Sequence, residues 1–219
     1  MKTYKLIFPL CLTLTACSTV IATDSPTGWV PPDPTACQID GWVTETHHAG
    51  VMVRAAPSGQ APVLGVLPAR VANQDSFDYG PEFEIIGSHN GWLKIQNAWD
   101  DPARSNLPER PTYSGIGWIP GEQAGFGIQY GSGYLRPDPQ SKRLIHLGSD
   151  WLTERGQIHR VVACKDEWVL VDFTILSDER FDALLPDDQI KGRAWFKGVC
   201  ANQETTCDGI PANTEQVEK

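Results

Sequence analysis

Long apolar runs are missing from this chain: no stretch reaches the roughly 20 residues that a membrane-crossing helix requires. Cysteine pairs of the C-x-x-C type are missing too, as are H-x-x-x-H and H-E-x-x-H spacings, which removes the usual signatures of zinc centres and thioredoxin-type redox sites. There is no G-x-S-x-G nucleophile elbow and no phosphate-cradling glycine loop, so no cofactor and no metal is expected. His47-His48 are adjacent and in a strand would face opposite sides, a poor start for a shared metal. Basic residues are scarce, 18 against 27 acidic ones, and a surface of that sign repels phosphate backbones, which excludes nucleic acid as a partner. Helix signals are equally thin. Ser177 can cap a helix from Asp178 to Leu185, with acids in its first turn and Pro186 as its stop, and it is the only one expected.

What is present begins with a leader. Lys2 and Lys5 precede the eleven residues from Leu6 to Ala16, a length that fits the core of a signal peptide. Leu14-Thr15-Ala16-Cys17 follows directly, and the four residues resemble the lipobox of bacterial lipoproteins, in which the cysteine becomes the acylated first residue. The resemblance implies a signal peptide over residues 1–16 and palmitate-type chains on Cys17. Because Ser18 and not aspartate comes next, it also implies the periplasmic face of the outer membrane. Ordinary cleavage after Ala22 is the alternative. Acyl chains contribute about 0.8 kcal/mol per buried methylene, so several on Cys17 would anchor the protein in the membrane unaided. Loss of residues 1–16 takes the formal charge from −9 to −11. Such a surface suits a cationic partner or serves solubility alone.

Four further cysteines, Cys37, Cys164, Cys200 and Cys207, remain after Cys17. An even number in an oxidising compartment predicts two disulfides. Three connectivities are open; the short local loop favours Cys200 with Cys207, leaving Cys37 with Cys164. Residues 17–36 contain Pro26, Pro31, Pro32 and Pro34 and few large apolar side chains, the composition of an extended tether that lifts the rest off the membrane. Residues 208–219 are polar and lack periodicity, as a loose tail does.

Between tether and tail the pattern is all strand. Val51 to Arg54, Val63 to Leu67, Glu82 to Gly87, Trp92 to Gln96 and Gly117 to Pro120 are branched or aromatic runs separated by turn formers, which predicts a small barrel or sandwich. The runs then recur. Val53-Arg54-Ala55-Ala56-Pro57 finds an echo in Leu135-Arg136-Pro137-Asp138-Pro139, and Val63 to Leu67 in Arg143 to Leu147. Ile85-Ile86 with Gly91-Trp92-Leu93 is matched by Val161-Val162 with Glu167-Trp168-Val169, and Gly117-Trp118-Ile119 by Ala194-Trp195-Phe196. The offset runs from 82 residues at the arginines to 76 and 77 at the tryptophans. Between the copies Gly125 to Gly133 is glycine-rich and reads as a linker or hinge.

At these residues the chain resembles bacterial SH3 domains, whose signature is a V-R-x-x-P strand, an apolar strand, an N-G-W hairpin and a final G-W-V. The first copy carries Val53-Arg54-Ala55-Ala56-Pro57, Asn90-Gly91-Trp92 and Gly117-Trp118-Ile119; the second replaces the two motif glycines by Glu167 and Ala194. The resemblance implies two tandem SH3-like small barrels, over residues 37–129 and 130–207, each five-stranded and partly open. It also implies a non-catalytic module that binds peptidoglycan or an envelope protein. The alternative is an inhibitor or tether of a cell-envelope hydrolase, or a weak hydrolase itself.

Both copies depart from the family by a long insertion before the last strand, Asn97 to Gly115 and Thr174 to Lys191. Loops of that length are uncommon unless functional or disordered. The first holds Trp99, Arg104, Arg110 and Tyr113, residue types enriched at binding hot spots; packing over its own barrel is the alternative. Each barrel is expected to close around its own tryptophans, Trp92 and Trp118 in the first and Trp168 and Trp195 in the second, with Trp92 and Trp118 also at a groove edge. Asp78 and Tyr79 sit in the polar stretch Ala72 to Pro81, where SH3-like barrels carry a ligand-facing loop, and there an aromatic and an acid could stack on sugar or grip a cationic peptide. The candidate ligand-binding set is therefore Asp78, Tyr79, Trp92, Trp99, Tyr113 and Trp118. Glu82 and Glu84 share a strand face and permit an acid pair, although two solvated carboxylates are the commoner outcome.

Overall fold

The computed structural model describes residues 27–72, 78–176, 184, 186, 188–204 and 207. The leader, Cys17, the 208–219 tail and, apart from Leu184, the Ser177-capped helix lie outside the described residues. The chain is all-β. In β1 (Thr35–Val43) Cys37, Ile39, Gly41 and Val43 are buried while Gln38, Asp40 and Trp42 face outward, the period-two alternation of a strand with one covered face. β2 (Val51–Arg54) and β3 (Val63–Leu67) form a hairpin, and β4 (Val71–Ala72) and β5 (Asp78–Tyr79) a short ribbon of their own. β6 (Glu82–His89) and β7 (Trp92–Trp99) form a longer hairpin. Its turn residues Asn90 and Gly91 have φ of 50° and 78°, the left-handed pair that a two-residue hairpin turn requires. β8 (Gly117–Pro120) and β9 (Ala124–Gly125) complete a seven-stranded sheet ordered β3-β2-β8-β7-β6-β1-β9.

The remaining strands repeat that plan. β10 (Gly127–Ile128) leads into β11 (Ser132–Tyr134), β12 (Arg143–His146), β13 (Gly156–Lys165), β14 (Trp168–Ile175) and β15 (Lys191–Phe196), and β16 (Val199–Cys200) returns to pair with β10. The second sheet runs β12-β11-β15-β14-β13, and the first, without β1 and β9, runs β3-β2-β8-β7-β6. Strand for strand the two orders are the same. Among the described residues no pairing closes either sheet into a barrel.

Hydrogen bonds fix the register of the repeat and correct one echo. Ala55 N–H donates to Pro62 O and Leu135 N–H to Lys142 O; Ser58 pairs with Ala56 as Asp138 does with Arg136. Ala55 therefore corresponds to Leu135, an offset of 80, and Arg54 to Tyr134 and not to Arg136. The offset of 80 continues through Val63 and Arg143. Trp92 and Trp168 both open the second strand of a hairpin, and Trp118 and Trp195 face Lys94 and Leu170, as the sequence echoes require.

The core also departs from expectation. Buried apolar residues of both sheets, from Val53, Phe83 and Ile95 to Val161, Phe173 and Phe196, form one continuous cluster, because β13 packs across β1, β6 and β7. None of the four repeat tryptophans belongs to it. Trp92 and Trp118 are half-buried on the outer face of the first sheet, whereas Trp168 and Trp195 join Tyr134, Val162, Ala163 and Leu170 in a second, separate cluster. Strand alternation explains this: Leu93 and Ile95 point into the shared core, so Trp92 points away.

Disulfides join Cys37 to Cys164 and Cys200 to Cys207, with Cα atoms 5.7 and 5.6 Å apart, the pairing that the short-loop argument favours. The first ties β1 to the end of β13. Beside it Thr35 Oγ1 donates to Cys164 O at 2.6 Å, and Cys164 N–H donates to Ser88 Oγ at 2.8 Å.

Three local expectations are overturned. Gly125 to Gly133 is no hinge: it contributes to β9, β10 and β11 and buries Phe126 and Ile128. Its glycines serve close approach, since a Cβ on Gly133 would fall 2.5 Å from the Phe196 ring. The 17–36 segment is not a free tether throughout, because Gly28 and Pro31 are buried and β1 begins at Thr35. Two short helices were not expected, α1 (Pro102–Ser105) and α2 (Leu152–Arg155). α1 has a legible start, with Asp101 accepting from Ala103 N–H at 2.9 Å and proline in its first turn, both favoured there.

Candidate functional site

Where the two sheets meet, a groove opens around Trp42. The alternation that buries Gly41 and Val43 leaves Trp42 outward and half-covered. Its indole lies across β9 at Gly125, where a Cβ would fall 2.6 Å from Trp42 Nε1; glycine is required for that approach. On one side a cavity of about 270 Å³ is lined by Arg70, Glu122 and Phe126 from the first half and by Ile158, His159 and Arg160 from the second. Trp42, Phe126 and Thr153 are shared with a neighbouring cavity of about 420 Å³, which adds Trp151, Glu154, Asn202, Gln203 and Glu204. The combined groove thus has two indoles, side-chain amides and charges of both signs. Clefts of this size and mixed lining are the common form of small-ligand sites.

Its polar residues are held in place from behind. Gly80 N–H donates to Gln203 Oε1 at 2.9 Å, and Gln203 Nε2 donates to Gly80 O at 2.8 Å and to Glu82 Oε1 at 3.1 Å. The Cys200–Cys207 bridge closes the loop that carries Asn202 and Gln203. Arg104 Nη1 reaches Glu82 Oε1 at 3.1 Å. Burial raises the Glu82 pKa above its ordinary value, against the hydrogen bond from Gln203 and the charge of Arg104. On the second sheet Asp172 accepts from Arg193 Nε at 2.6 Å and from Arg160 Nη2 at 2.9 Å. Burial opposes its charge, but hydrogen bonds and charge from Arg193 and then Arg160 prevail and hold its pKa below the usual carboxylate value.

The six residues singled out from sequence are not gathered in one place. Tyr79, expected on a solvated loop, is 3% exposed, and burial, then the Glu82 charge, push its pKa far up against a backbone hydrogen bond from Asp101. Asp78 is exposed, and its carbonyl accepts from Arg70 Nη2 at 3.0 Å. Trp92 and Trp118 share the outer face of the first sheet. Trp99 is 44% exposed at the far end of β7 from Trp92, on the order of 23 Å along the strand at ~3.3 Å per residue.

The first insertion packs over its own sheet. Tyr113 lies against Gly65, where a Cβ would fall 2.5 Å from its ring, and its N–H donates to Val66 O at 3.4 Å. Arg110 is fully engaged, donating from Nε to Asp100 Oδ2 at 2.9 Å, from Nη2 to Asp100 Oδ1 and from Nη1 to Ala69 O. With Arg104 on Glu82, both arginines of the insertion serve the fold. Half of the second insertion lies outside the described residues.

Glu82 and Glu84 form no acid pair: Glu84 accepts from Gln96 Nε2 at 2.7 Å and Asn97 Nδ2 at 3.0 Å, hydrogen bonds that lower its pKa. Asp40, opposite Glu84 across β1 and β6, has its pKa raised by burial and then by the Glu84 charge. His47 and His48 lie in a turn and not a strand, with ring centroids 4.2 Å apart.

Sequence reasoning passed over Trp42, Trp151, Asn202 and Gln203. A signal for Trp42 existed, since Ile39, Gly41 and Val43 set the buried phase and leave it out of phase; the others come together only through the fold. No family model, no curated protein and no solved structure matches the chain. Among the described residues no helix is long and apolar enough to cross a membrane.

Proposed function

We propose that the protein is a non-catalytic envelope lipoprotein, anchored through Cys17, whose two SH3-like units grip peptidoglycan in the groove between them. The groove around Trp42 carries this reading. An indole face accepts the C–H side of a sugar ring or an apolar stem residue, while amides and carboxylates pair with hydroxyls, peptide groups and amines. Both kinds of surface line the same cleft, with Trp42 and Trp151 beside Asn202, Gln203 and Glu154. The shared strand order, β3-β2-β8-β7-β6 in the first sheet and β12-β11-β15-β14-β13 in the second, supports a duplicated unit. Two disulfides favour an oxidising compartment and agree with export. The buried carboxylate beside the groove, Glu82, is tied to Arg104 and Gln203, an arrangement of a structural acid.

Sedimentation with purified sacculi tests the proposal. The wild-type chain without its lipid should co-sediment, and Trp42→Ala should weaken retention about tenfold, the equivalent of about 1.4 kcal/mol, with an unchanged circular dichroism spectrum. Trp99→Ala should retain normally. Failure of the wild type to sediment, or equal retention by Trp42→Ala, overturns the proposal; capture of an envelope hydrolase in its place would favour the inhibitor or tether role.

A further inference from the structure

The chain docks part of itself on its second sheet. β11 and β15 meet at a single register pair, Tyr134 with Trp195, and beyond it they part. Gly28 and Trp29 fill the gap as an extended segment. Gly28 N–H donates to Arg193 O at 2.7 Å, Trp29 N–H donates to Leu135 O at 2.8 Å, and the Trp195 indole donates to Trp29 O at 2.8 Å. A Cβ on Gly28 would fall 2.5 Å from Leu170 Cδ1 and 3.0 Å from Arg193 O, so glycine sets the depth of docking. The Arg136 guanidinium lies 5.1 Å over the Trp29 ring, in cation–π range.

These receptor groups recur on the first sheet. β2 and β8 also meet at one register pair, Arg54 with Trp118. The repeat puts Ala55 O in the place of Leu135 O, Ile116 O in that of Arg193 O and the Trp118 indole in that of the Trp195 indole. Ile116 O accepts from the Tyr113 hydroxyl at 3.2 Å, and a carbonyl oxygen has a second lone pair to offer. Among the described residues no hydrogen bond is made to Ala55 O or by the Trp118 indole, and the Tyr113 hydroxyl is the one group on Ile116 O. Apolar side chains near it are left in solvent, Met52 at 45% and Ile116 at 54% exposure, with Val66 paired to Met52. Two substitutions change the character of the site: Lys94 stands where Leu170 meets Gly28, and Arg54 where Tyr134 stands.

We infer that the gap between β2 and β8 binds an extended peptide from a partner protein, with a glycine at the Gly28 position, an aromatic residue after it and acidic residues on its flanks. The backbone of that peptide donates to Ile116 O and Ala55 O and accepts from Trp118 Nε1, as Gly28 and Trp29 do on the second sheet. Its acids answer the charges of Lys94 and of Arg54, whose Nη1 also donates to Ala61 O at 2.8 Å; on the second sheet Leu170 and Tyr134 carry no charge at these places. The site is separate from the Trp42 groove and does not depend on what that groove holds.

The probe is a synthetic peptide with the sequence of residues 24–34, which contains the Gly-Trp pair and Asp24 and Asp33. It is titrated into the ¹⁵N-labelled chain while the tryptophan indole N–H resonances are followed, with Trp118 assigned through Trp118→Phe. The expected result is a saturable shift of the Trp118 resonance at one peptide per chain. Affinity should fall about fivefold or more in Trp118→Phe, which loses one hydrogen bond, and about as much in Lys94→Glu, whose loss shrinks with added salt. A peptide with valine in place of the glycine should not bind. No shift at millimolar peptide, equal affinity in both variants, equal binding of the valine peptide, or a shift of Trp195 in place of Trp118 each overturns the inference. Sacculus retention by the same variants reads the Trp42 groove independently and should be unchanged.

Discussion

In the second sheet Tyr134, Trp168, Leu170 and Trp195 are buried together on the outer face, while their counterparts in the first, Arg54, Trp92, Lys94 and Trp118, stay half-open. The strand order, the hairpins and both tryptophans are common to the two. What differs is that a cation replaces an apolar residue at two positions, and that Gly28 and Trp29 cover one face and not the other. A small β framework therefore does not decide which of its faces is core. Two substitutions and a docked strip of chain are enough to move a tryptophan from a ligand's reach to 0% exposure at Trp195.

Cutting the link between the sheets should have the largest effect. Cys37→Ser with Cys164→Ser removes a bridge that spans 127 residues, worth about 5 kcal/mol by chain entropy alone. Urea unfolding should show a lower midpoint with a single transition, because the core is shared; two transitions would mean that the faces belong to independent bodies. Next, Trp195→Ala should cost about 4 kcal/mol and Trp118→Ala about 1 kcal/mol, since only the first empties a filled site. Equal losses would abolish the contrast. Gly28→Val forces a side chain against Leu170 and should cost about 2 kcal/mol, with faster hydrogen exchange at the Trp195 indole as its specific sign.

The smallest effect concerns charge. Asp172→Asn should cost about 1 kcal/mol at neutral pH, a value that allows for the partial exposure of the group. The folded pKa of Asp172 lies below its reference value, so its contribution is complete above that reference and is lost as pH falls through the folded value. Wild type and variant should therefore converge in acid. The place of Arg160 and Asp172 is taken in the first sheet by Glu84 and Gln96, and Glu84→Gln should move the midpoint less, as its carboxylate is solvated.

Strands such as Val51–Arg54 and Gly117–Pro120 were legible because branched residues, turn formers and period-two burial coincide there. The repeat was legible for the same reason, but its first echo slipped by two residues. A shared arginine drew the alignment, whereas each copy has a register irregularity, after Val53 and after Gly133, that sets Arg54 beside Tyr134. Gly125 to Gly133 was misread because a missing side chain signals equally freedom and close approach. Tyr79 lies in a polar stretch, yet Glu82 and the inserted loop cover it, contacts that local composition does not carry. Of the groove, Trp42 was within reach of the alternation rule; Trp151 and Gln203 are more than 100 residues away and meet it only after β13 has packed on β1.

The order in which the four bridged cysteines occur along the polypeptide has a consequence for biogenesis. Cys37 joins the next of them, Cys164, and Cys200 joins the next, Cys207. Under the proposed export, with residues 1–16 removed and Cys17 acylated, an oxidase that acts on the remaining thiols in their order along the chain would form the native bonds directly.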